Sequence, residues 1–470
     1  MNKTERVKID TLVPAEYNPR DISEESLDML KQSISELGQI KPIIVNGETN
    51  VIMAGHQRTK AMRALGYDEC DAYVLHGINQ QDEARFNQIH NKTEYEVSDD
   101  APRVRINKPM ELGTSIIYPN EVEVLDKGRL ADFNKSLATL IQRYGAFGMP
   151  ICTQSGDVIV SSAYAMASKL CYEPMLVLTL DDHKAELAKS YLSKEYGRFS
   201  YDTIRRKTYI QSLAQLPRLQ GRGKRRMVSK LYEQMVIPYL DAIQDGSTLR
   251  ILDFGAGKYA YADKLRAGGY NIERVDPYHR VAGTHRIAVA DNEEAFKRIA
   301  KSISEDGLYD IVICDSVLNS VDSIQAWDDV VNTCHALTKD GGTIFISGRK
   351  VEDALMKCNT KSTSGRQTLY FLDDDNLTAQ YRRGNWFFQK FENEAQIEEI
   401  HTRIGELVDR QEDNSYRLHI KKTRRISQRI AVESLRREWS LMLPDGQHYE
   451  LADVIEDAYK RAIKTNERQR

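Results

Sequence analysis

Apolar positions along this chain alternate between two periods, and the places where the period changes set out its elements. Leu27, Leu30, Ile34 and Leu37 recur at helical spacing, and Gly38 stops the run. Pro42-Ile43-Ile44-Val45 and Val51-Ile52-Met53 then read as short strands joined by the turn Asn46-Gly47-Glu48-Thr49-Asn50. The second strand runs into Ala54-Gly55-His56-Gln57-Arg58 and a basic helix ending near Gly66. Later the pattern comes round again. Ser136 to Ile141 corresponds to the Leu27 helix, Tyr144-Gly145 to Leu37-Gly38, and Pro150-Ile151-Cys152 to Pro42-Ile43-Ile44. Asp157-Val158-Ile159-Val160 corresponds to Asn50-Val51-Ile52-Met53, and a helix from Ala163 to Leu170 and a strand from Met175 to Leu180 complete the series. Chance similarity of short strands is the competing reading.

A different order begins at Leu249. Ile251 and Leu252 lead to Asp253, and the glycine-rich turn Phe254-Gly255-Ala256-Gly257 follows. A helical segment runs from about Lys258 to Ala267, and a strand from Tyr270 to Val275 ends in Asp276. Strand, glycine turn, helix, strand and acid make the opening βαβ unit of a doubly wound fold with an adenosine site at the strand ends. The glycines let backbone approach a ligand, and Asp276 stands where it can accept both ribose hydroxyls. Tyr259 replaces the third glycine of a dinucleotide fingerprint, so no pyrophosphate cradle is evident. Downstream, Tyr309 to Asn319 is a buried strand ending in polar groups; a helix from Ala326 to Leu337 and a strand from Thr343 to Ser347 follow. A closing hairpin is expected from Thr368 to Leu372 and Asn385 to Phe391. Beyond Asn393 the pattern is charged and largely helical, with Ile397, Ile400, Ile404 and Leu407 on one face. An apolar patch at Leu435, Trp439, Leu441, Met442 and Leu443 precedes the turn Pro444-Asp445-Gly446. Packing on the preceding domain is the favoured role for this tail; homodimer formation or grip on a target is the alternative.

Composition narrows the classes. At 470 residues the chain holds about two to four domains. The formal net charge of -3 makes the whole chain no generic polyanion binder. A local exception runs from Arg198 to Lys230, where ten bases meet the single acid Asp202 and Tyr196, Phe199, Tyr201 and Tyr209 are interleaved. That block is either a solvated helix face or a strip contacting phosphates through Arg205, Arg206, Arg222, Lys224, Arg225 and Arg226. Six scattered cysteines have no metal-type spacing and read as reduced and mostly buried, so no metal site is expected from them. With no long apolar run and a polar start, a soluble cytoplasmic protein without a membrane partner is expected.

Two resemblances sharpen these readings. NPR at Asn18, then SLDMLKQSISELGQIKPIIV, then VIMAGHQRTKAMRALGY resembles the N-terminal domain of the ParB family, which shares a fold with sulfiredoxin and a free-serine kinase. The resemblance implies an α+β domain over residues 1–100 that binds DNA or a nucleotide with Mg2+, with Gly55, His56 and Arg58 at the phosphates. Asn91 is the matching residue of a later box, Ile89-His90-Asn91-Lys92-Thr93, from which the family's acid and arginine are missing; nucleotide hydrolysis is therefore not implied. The AGHQR box also lacks the sulfiredoxin cysteine. Residues 101–195 would be a degenerate second copy, with Ser161-Ser162-Ala163-Tyr164-Ala165 in place of AGHQR and a structural role. Residues 196–235 form the basic connector.

From roughly Val228 to Phe391 the order resembles a class I S-adenosylmethionine-dependent methyltransferase. It implies a Rossmann-like domain over 236–392 and a helical extension over 393–470, an α/β multidomain protein as a whole. By motif position Asp253, Gly255 and Gly257 form the donor turn, Asp276 the ribose acid and Asp291 an adenine contact; Asp315 and Asn319 lie where the target enters. The box Asp315-Ser316-Val317-Leu318 is not the D/N-P-P-Y/F of DNA amino-methyltransferases, and no Pro-Cys pair supplies a cytosine nucleophile. The variant is similar to methyltransferases of DNA modification and defence systems, and the fusion to those of phage and mobile elements. Three readings follow: a methyltransferase for DNA or a modified base, a nucleotide-gated DNA binder with a non-catalytic methyltransferase fold, or a methyltransferase for protein, RNA or a small molecule.

Overall fold

A computed structural model describes residues 4–16, 18, 20–79, 82–83, 86–87, 90, 101–127, 131–192, 198–199, 201, 215, 218–219, 227–243, 246–352, 372–373, 375–382 and 385–468. The protein is mixed α/β and divides into two units, Met1–Ile204 with Met356–Asp373, and Arg205–Leu355 with Asp374–Arg470.

The first unit holds two main sheets. In the first, the strand order is Glu5–Lys8, Glu69–Leu75, Ile43–Asn46, Val51–Ala54 and Val13–Pro14. Ile43–Asn46 runs parallel to Glu69–Leu75 and antiparallel to Val51–Ala54. The helix Glu24–Leu37 precedes this hairpin; the Ser23 side chain accepts from the backbone N–H of Ser26 at 3.2 Å, which satisfies one orphan donor of its first turn. The helix His56–Ala64 follows the hairpin and starts at Gly55, whose φ of +97° is left-handed and whose Cβ would lie 2.7 Å from Ile43 Cγ2. In the second sheet, the order is Val158–Val160, Ile151–Cys152, Met175–Thr179 and Gly113–Ile117. Ile151–Cys152 is again parallel to the strand after the helix and antiparallel to its hairpin partner. Helices Ala131–Tyr144 and Ser162–Cys171 flank that hairpin, and Ser161 keeps the left-handed conformation at φ +61° without being glycine. One core joins both sheets: Ile44, Met53, Tyr73 and Phe86 pack in the same cluster as Ile117, Ile141, Phe147 and Tyr164. The expected boundary at residues 100 and 101 therefore lies within a single packed body.

The second unit is built on six strands in the order Ile272–Val275, Ile251–Phe254, Tyr309–Asp315, Thr338–Arg349, Ser415–Lys422 and Gly405–Glu412. The first four are parallel, and Ser415–Lys422 runs antiparallel to both of its neighbours, Thr338–Arg349 and Gly405–Glu412. Strand order reverses at Ile251–Phe254, which opens a crevice at the carboxyl ends of the strands. Helices Val289–Asp306, Ile324–Leu337, Glu394–Ile404, Gln428–Glu438 and Ala452–Arg468 contribute to one large core with the sheet, and Leu231, Tyr232, Met235 and Val236 to another with Ile251, Ile311 and Phe345.

Three expectations change here. Thr368 to Phe371 lie outside the described residues, and Asn385–Lys390 pairs with Leu377–Arg382 in a two-stranded ribbon of its own. The strands that complete the main sheet are Gly405–Glu412 and Ser415–Lys422, beyond the expected domain end at 392. Leu407 thus belongs to a strand and not to the helical face of Ile397, Ile400 and Ile404. Tyr416, Leu418 and Ile420 are buried at strand period with Arg417, His419 and Lys421 between and after them, an apolar-polar alternation that was the available signal for this strand. The five described cysteines are buried and free of disulfides. Among the described residues no helix is long and apolar enough to cross a membrane.

Candidate functional site

A cavity of about 240 Å³ occupies the crevice at the strand ends. Its floor is the glycine turn. The N–H groups of Gly255 and Ala256 both donate to the Val275 carbonyl, at 2.9 and 3.0 Å, so the turn folds back on the second strand. Gly255 has φ +73°, and a Cβ there would lie 2.3 Å from Val317 Cγ2. Gly257 has φ +58°, and its N–H donates to Asp276 Oδ2 at 2.8 Å. Tyr259, where the third glycine is missing, takes φ +63° and begins the helix Ala260–Ala267. Its ring stacks on His279 with centroids 3.9 Å apart, and the Arg274 guanidinium lies 4.3 Å from the ring centroid. His279 Nδ1 in turn donates to the Gly257 carbonyl at 2.8 Å. An aromatic brace thus stands where a cradle for pyrophosphate would need open backbone.

Asp276 is buried against this turn. Besides Gly257, the N–H of Tyr278 donates to Oδ1 at 2.8 Å and the side chain of Gln215 donates to the same oxygen at 2.9 Å. Burial pushes its carboxyl up to about 6, against the pull of the Tyr278 and Gly257 donors. Asp253 is buried as deeply and pushed up to about 7 by the same desolvation, with the nearby Tyr232 hydroxyl opposing.

At the other side, Asp315 lines the cavity. Its Oδ1 accepts from Ser347 Oγ at 2.8 Å and Ser316 Oγ at 3.1 Å, and its Oδ2 lies 3.4 Å from Arg218 Nη2. Ser316 is held at φ +63°, directly after the strand. Two expected site residues are elsewhere. Asn319 does not line the cavity; its buried Nδ2 donates to the Lys390 carbonyl at 2.8 Å and anchors the ribbon, while Ser316 and Ser320 face the space instead. Asp291 is exposed in the first turn of its helix, outside the cavity lining. One residue on, which is about 100° around a helix, Asn292 is the buried one and donates to the carbonyls of Pro277 and His279 at 3.1 Å each.

Sequence reasoning missed the cavity's other walls. Gln215 and Arg218 come from the basic connector, where Arg218 reads as one of many surface charges. Glu438, Leu441 and Met442 come from the tail. Tyr278 Oη donates to the Met442 carbonyl at 3.1 Å and Tyr449 Oη to that of Pro277 at 2.5 Å, which ties the tail to the loop of Asp276. The apolar patch from Leu435 to Leu443 was the available signal.

In the first unit, Arg58 Nη1 donates to the carbonyls of Lys41 and Pro42 at 2.7 and 2.9 Å, and His56 Nε2 accepts from the Ala15 N–H at 3.1 Å. Gly55 sits at the helix start as expected. Asn91 and the six connector residues Arg205, Arg206, Arg222, Lys224, Arg225 and Arg226 lie outside the described residues. Among the described residues no cluster of His, Cys, Asp and Glu could hold a metal ion.

Compared with known proteins, residues 1–92 match the profile of the ParB N-terminal domain, and residues 201–405 that of a methyltransferase domain. A probable chromosome-partitioning protein ParB of Campylobacter jejuni is 38% identical over 76 residues, 16% of this chain and 27% of that protein. The ParB-like nuclease domain-containing protein YnaK of Escherichia coli is 31% identical over 77 residues, 16% of this chain and 87% of that protein. A ubiquinone biosynthesis O-methyltransferase of Rickettsia typhi is 28% identical over 115 residues, 24% of this chain and 46% of that protein. This chain thus spans between a quarter and a half of the length of the first and third of these relatives.

Proposed function

The chain belongs to the ParB N-terminal domain family and carries a methyltransferase domain as well, and from that premise we propose that it transfers a methyl group from S-adenosylmethionine to DNA or to a modified base. The observation that carries the reading is the buried carboxylate of Asp276, fixed by the N–H groups of Gly257 and Tyr278 at the rim of the cavity. The Gln215 side chain donates to one of its oxygens, and a ribose diol could take that donor's place without leaving a buried acceptor unpaired. Gly257, where a Cβ would meet nothing within 4 Å, leaves its backbone accessible to the rest of the donor, while the missing Cβ of Gly255 makes room for Val317.

When bound, the donor supplies a methyl group on a sulfonium, so the protein contributes mainly position and exclusion of water. Asp315, held by Ser347 and Ser316 and paired with Arg218, is placed to accept an N–H or O–H of the acceptor and so to orient its lone pair. Asp253, Asp276, Asp315 and Asp322 line the cavity against the two cations Arg218 and Lys258, and Glu438, whose carboxyl burial pushes up to about 8, adds no full negative charge there at neutral pH. Such a lining suits a cationic donor and repels phosphate. A nucleic-acid acceptor therefore presents an unstacked base to the cavity while its backbone is gripped elsewhere, by the ParB-like half and by the connector bases. A nucleotide, with Mg2+, at the Gly55 turn would regulate that grip. Arg58 is engaged with the backbone carbonyls of Lys41 and Pro42 and would turn from them to meet a phosphate.

A second reading has one observation in its favour. This chain is similar over 115 residues to an O-methyltransferase of ubiquinone biosynthesis, and a small hydroxylated acceptor needs no phosphate grip. Labelled methyl transfer to host and phage DNAs, run beside Asp276→Ala, decides between them. Incorporation into DNA that the variant loses supports the first reading. Donor binding without incorporation into DNA moves the acceptor to small molecules, RNA or protein. No donor binding by the wild-type chain overturns both.

A further inference from the structure

Tyr278, Val330, Leu441 and Met442 give the cavity apolar lining, Tyr278 being tied to Met442 by its hydroxyl, and Glu438 lines the same cavity. Glu438 closes the helix Gln428–Glu438, whose Ala431 and Leu435 are buried in the core. Its neighbour Arg437 binds Asp329 through two hydrogen bonds of 2.7 and 2.8 Å. The Glu438 residue is 6% exposed, and its carboxyl has no hydrogen-bond partner among the described residues. The charged groups facing it are Asp322 and Asp329, both acidic, and Arg437, already engaged.

A buried carboxyl left without a partner costs free energy that a ligand can recover. What remains open is the form in which it acts. As an anion it would draw a cation; as a neutral acid it presents one O–H donor beside one C=O acceptor. The surroundings favour the second, because burial foremost, and then the repulsion of Asp329 and Asp322, push the carboxyl up to about 8. A flat heterocycle with an acceptor next to an amino group complements both atoms, and apolar walls suit its faces.

We propose that Glu438 reads the adenine of the donor, its carboxylic O–H donating to N1 and its carbonyl accepting from the 6-amino group. The proposal rests on the reading of this cavity as the S-adenosylmethionine site. It gives the tail a direct part in donor selection: the helix after the sheet supplies a contact that the strand ends do not. Asp291, the acid that motif position singles out, points to solvent. The ammonium and carboxylate of the donor then belong at the opposite end, towards the glycine turn and Asp315.

The test is calorimetric binding of S-adenosylhomocysteine, and of its analogue lacking the 6-amino group, to the full chain and to Glu438→Gln, Glu438→Leu and Asp276→Ala. Glutamine keeps the donor and the acceptor without titrating. It should hold the adenosyl ligand within about threefold of wild type, and its affinity should stay level where that of wild type falls as pH rises past neutrality. Leucine should weaken binding by about tenfold to fiftyfold, the loss of two ligand hydrogen bonds, and should stop distinguishing the two ligands. Wild type should bind the analogue about tenfold more weakly. Ligand-free melting of each variant separates a misfolded chain from a lost contact, and the glutamine variant keeps the test decisive if leucine fails to fold. If wild type binds, Asp276→Ala does not, and Glu438→Leu is indistinguishable from wild type, the proposal is overturned while the cavity's assignment stands. The same holds if Glu438→Leu still discriminates between the ligands as wild type does. If wild type binds neither ligand, both fall.

Discussion

Replacing Gly255 by alanine tests how the glycine turn is built. The added Cβ would lie 2.3 Å from Val317 Cγ2 and 3.3 Å from its Cγ1, with the backbone at φ +73°. Two costs add. A side chain in the left-handed region costs about 1–2 kcal/mol, and forcing a methyl into a filled space costs about 1–3 kcal/mol more. Val317 is β-branched and stiff at χ1, so it yields less than a long side chain would. The sum is about 2–5 kcal/mol, which lowers the melting temperature of the methyltransferase unit by about 4–20 °C at the scale of a domain this size. Gly255→Ala with Val317→Ala should recover the packing part and leave the conformational part. Differential scanning calorimetry of the full chain, following the transition assigned to this unit, reads both. A single variant that melts with wild type, or a double variant no more stable than the single one, refutes the close approach of the turn and Val317.

Two further outcomes follow from buried polar groups. Arg58→Ala strips the carbonyls of Lys41 and Pro42 of their donor and should destabilise the first unit by about 1–3 kcal/mol in urea unfolding; unchanged stability would mean that the arginine serves an external ligand alone. For Glu438 the sign is set by linkage. Its folded carboxyl is pushed up to about 8 from an ordinary 4.5, so the folded chain binds the proton more tightly than the unfolded one. Its contribution to stability therefore declines as pH rises from about 4.5 to about 8 and is level outside that window. Glu438→Gln lacks this decline, and its stability relative to wild type should rise with pH across the window in ligand-free protein. A difference that does not change with pH would place the carboxyl in water.

What consecutive residues encode was legible from them. The turn from Asp253 to Gly257, the acid Asp276 after the second strand and the helix start at Gly55 each depend on local backbone conformation and on spacing within one βαβ unit or hairpin, and all are present in the structure. The repeated pattern of short strands also has its counterpart in two sheets of matching strand order and direction. Side-chain direction was harder. Asp291 and Asn292 differ by one step around a helix, and Asn319 and Ser320 by one in a 3-10 turn, so that motif position alone selected the outward residue in one case and the ribbon anchor in the other. The strand Ser415–Lys422 was legible in the alternation of Tyr416, Leu418 and Ile420 with Arg417, His419 and Lys421, but the helical run of Ile397, Ile400 and Ile404 just before it drew Leu407 and the rest of the tail into a helical reading. Only the tertiary structure decided the cavity's walls. Gln215 and Arg218 reach it from before the first strand of the sheet, and Glu438, Leu441 and Met442 from after its last. Local propensity carries no record of such meetings, since it is burial of the shared core that brings segments so distant in sequence to one site.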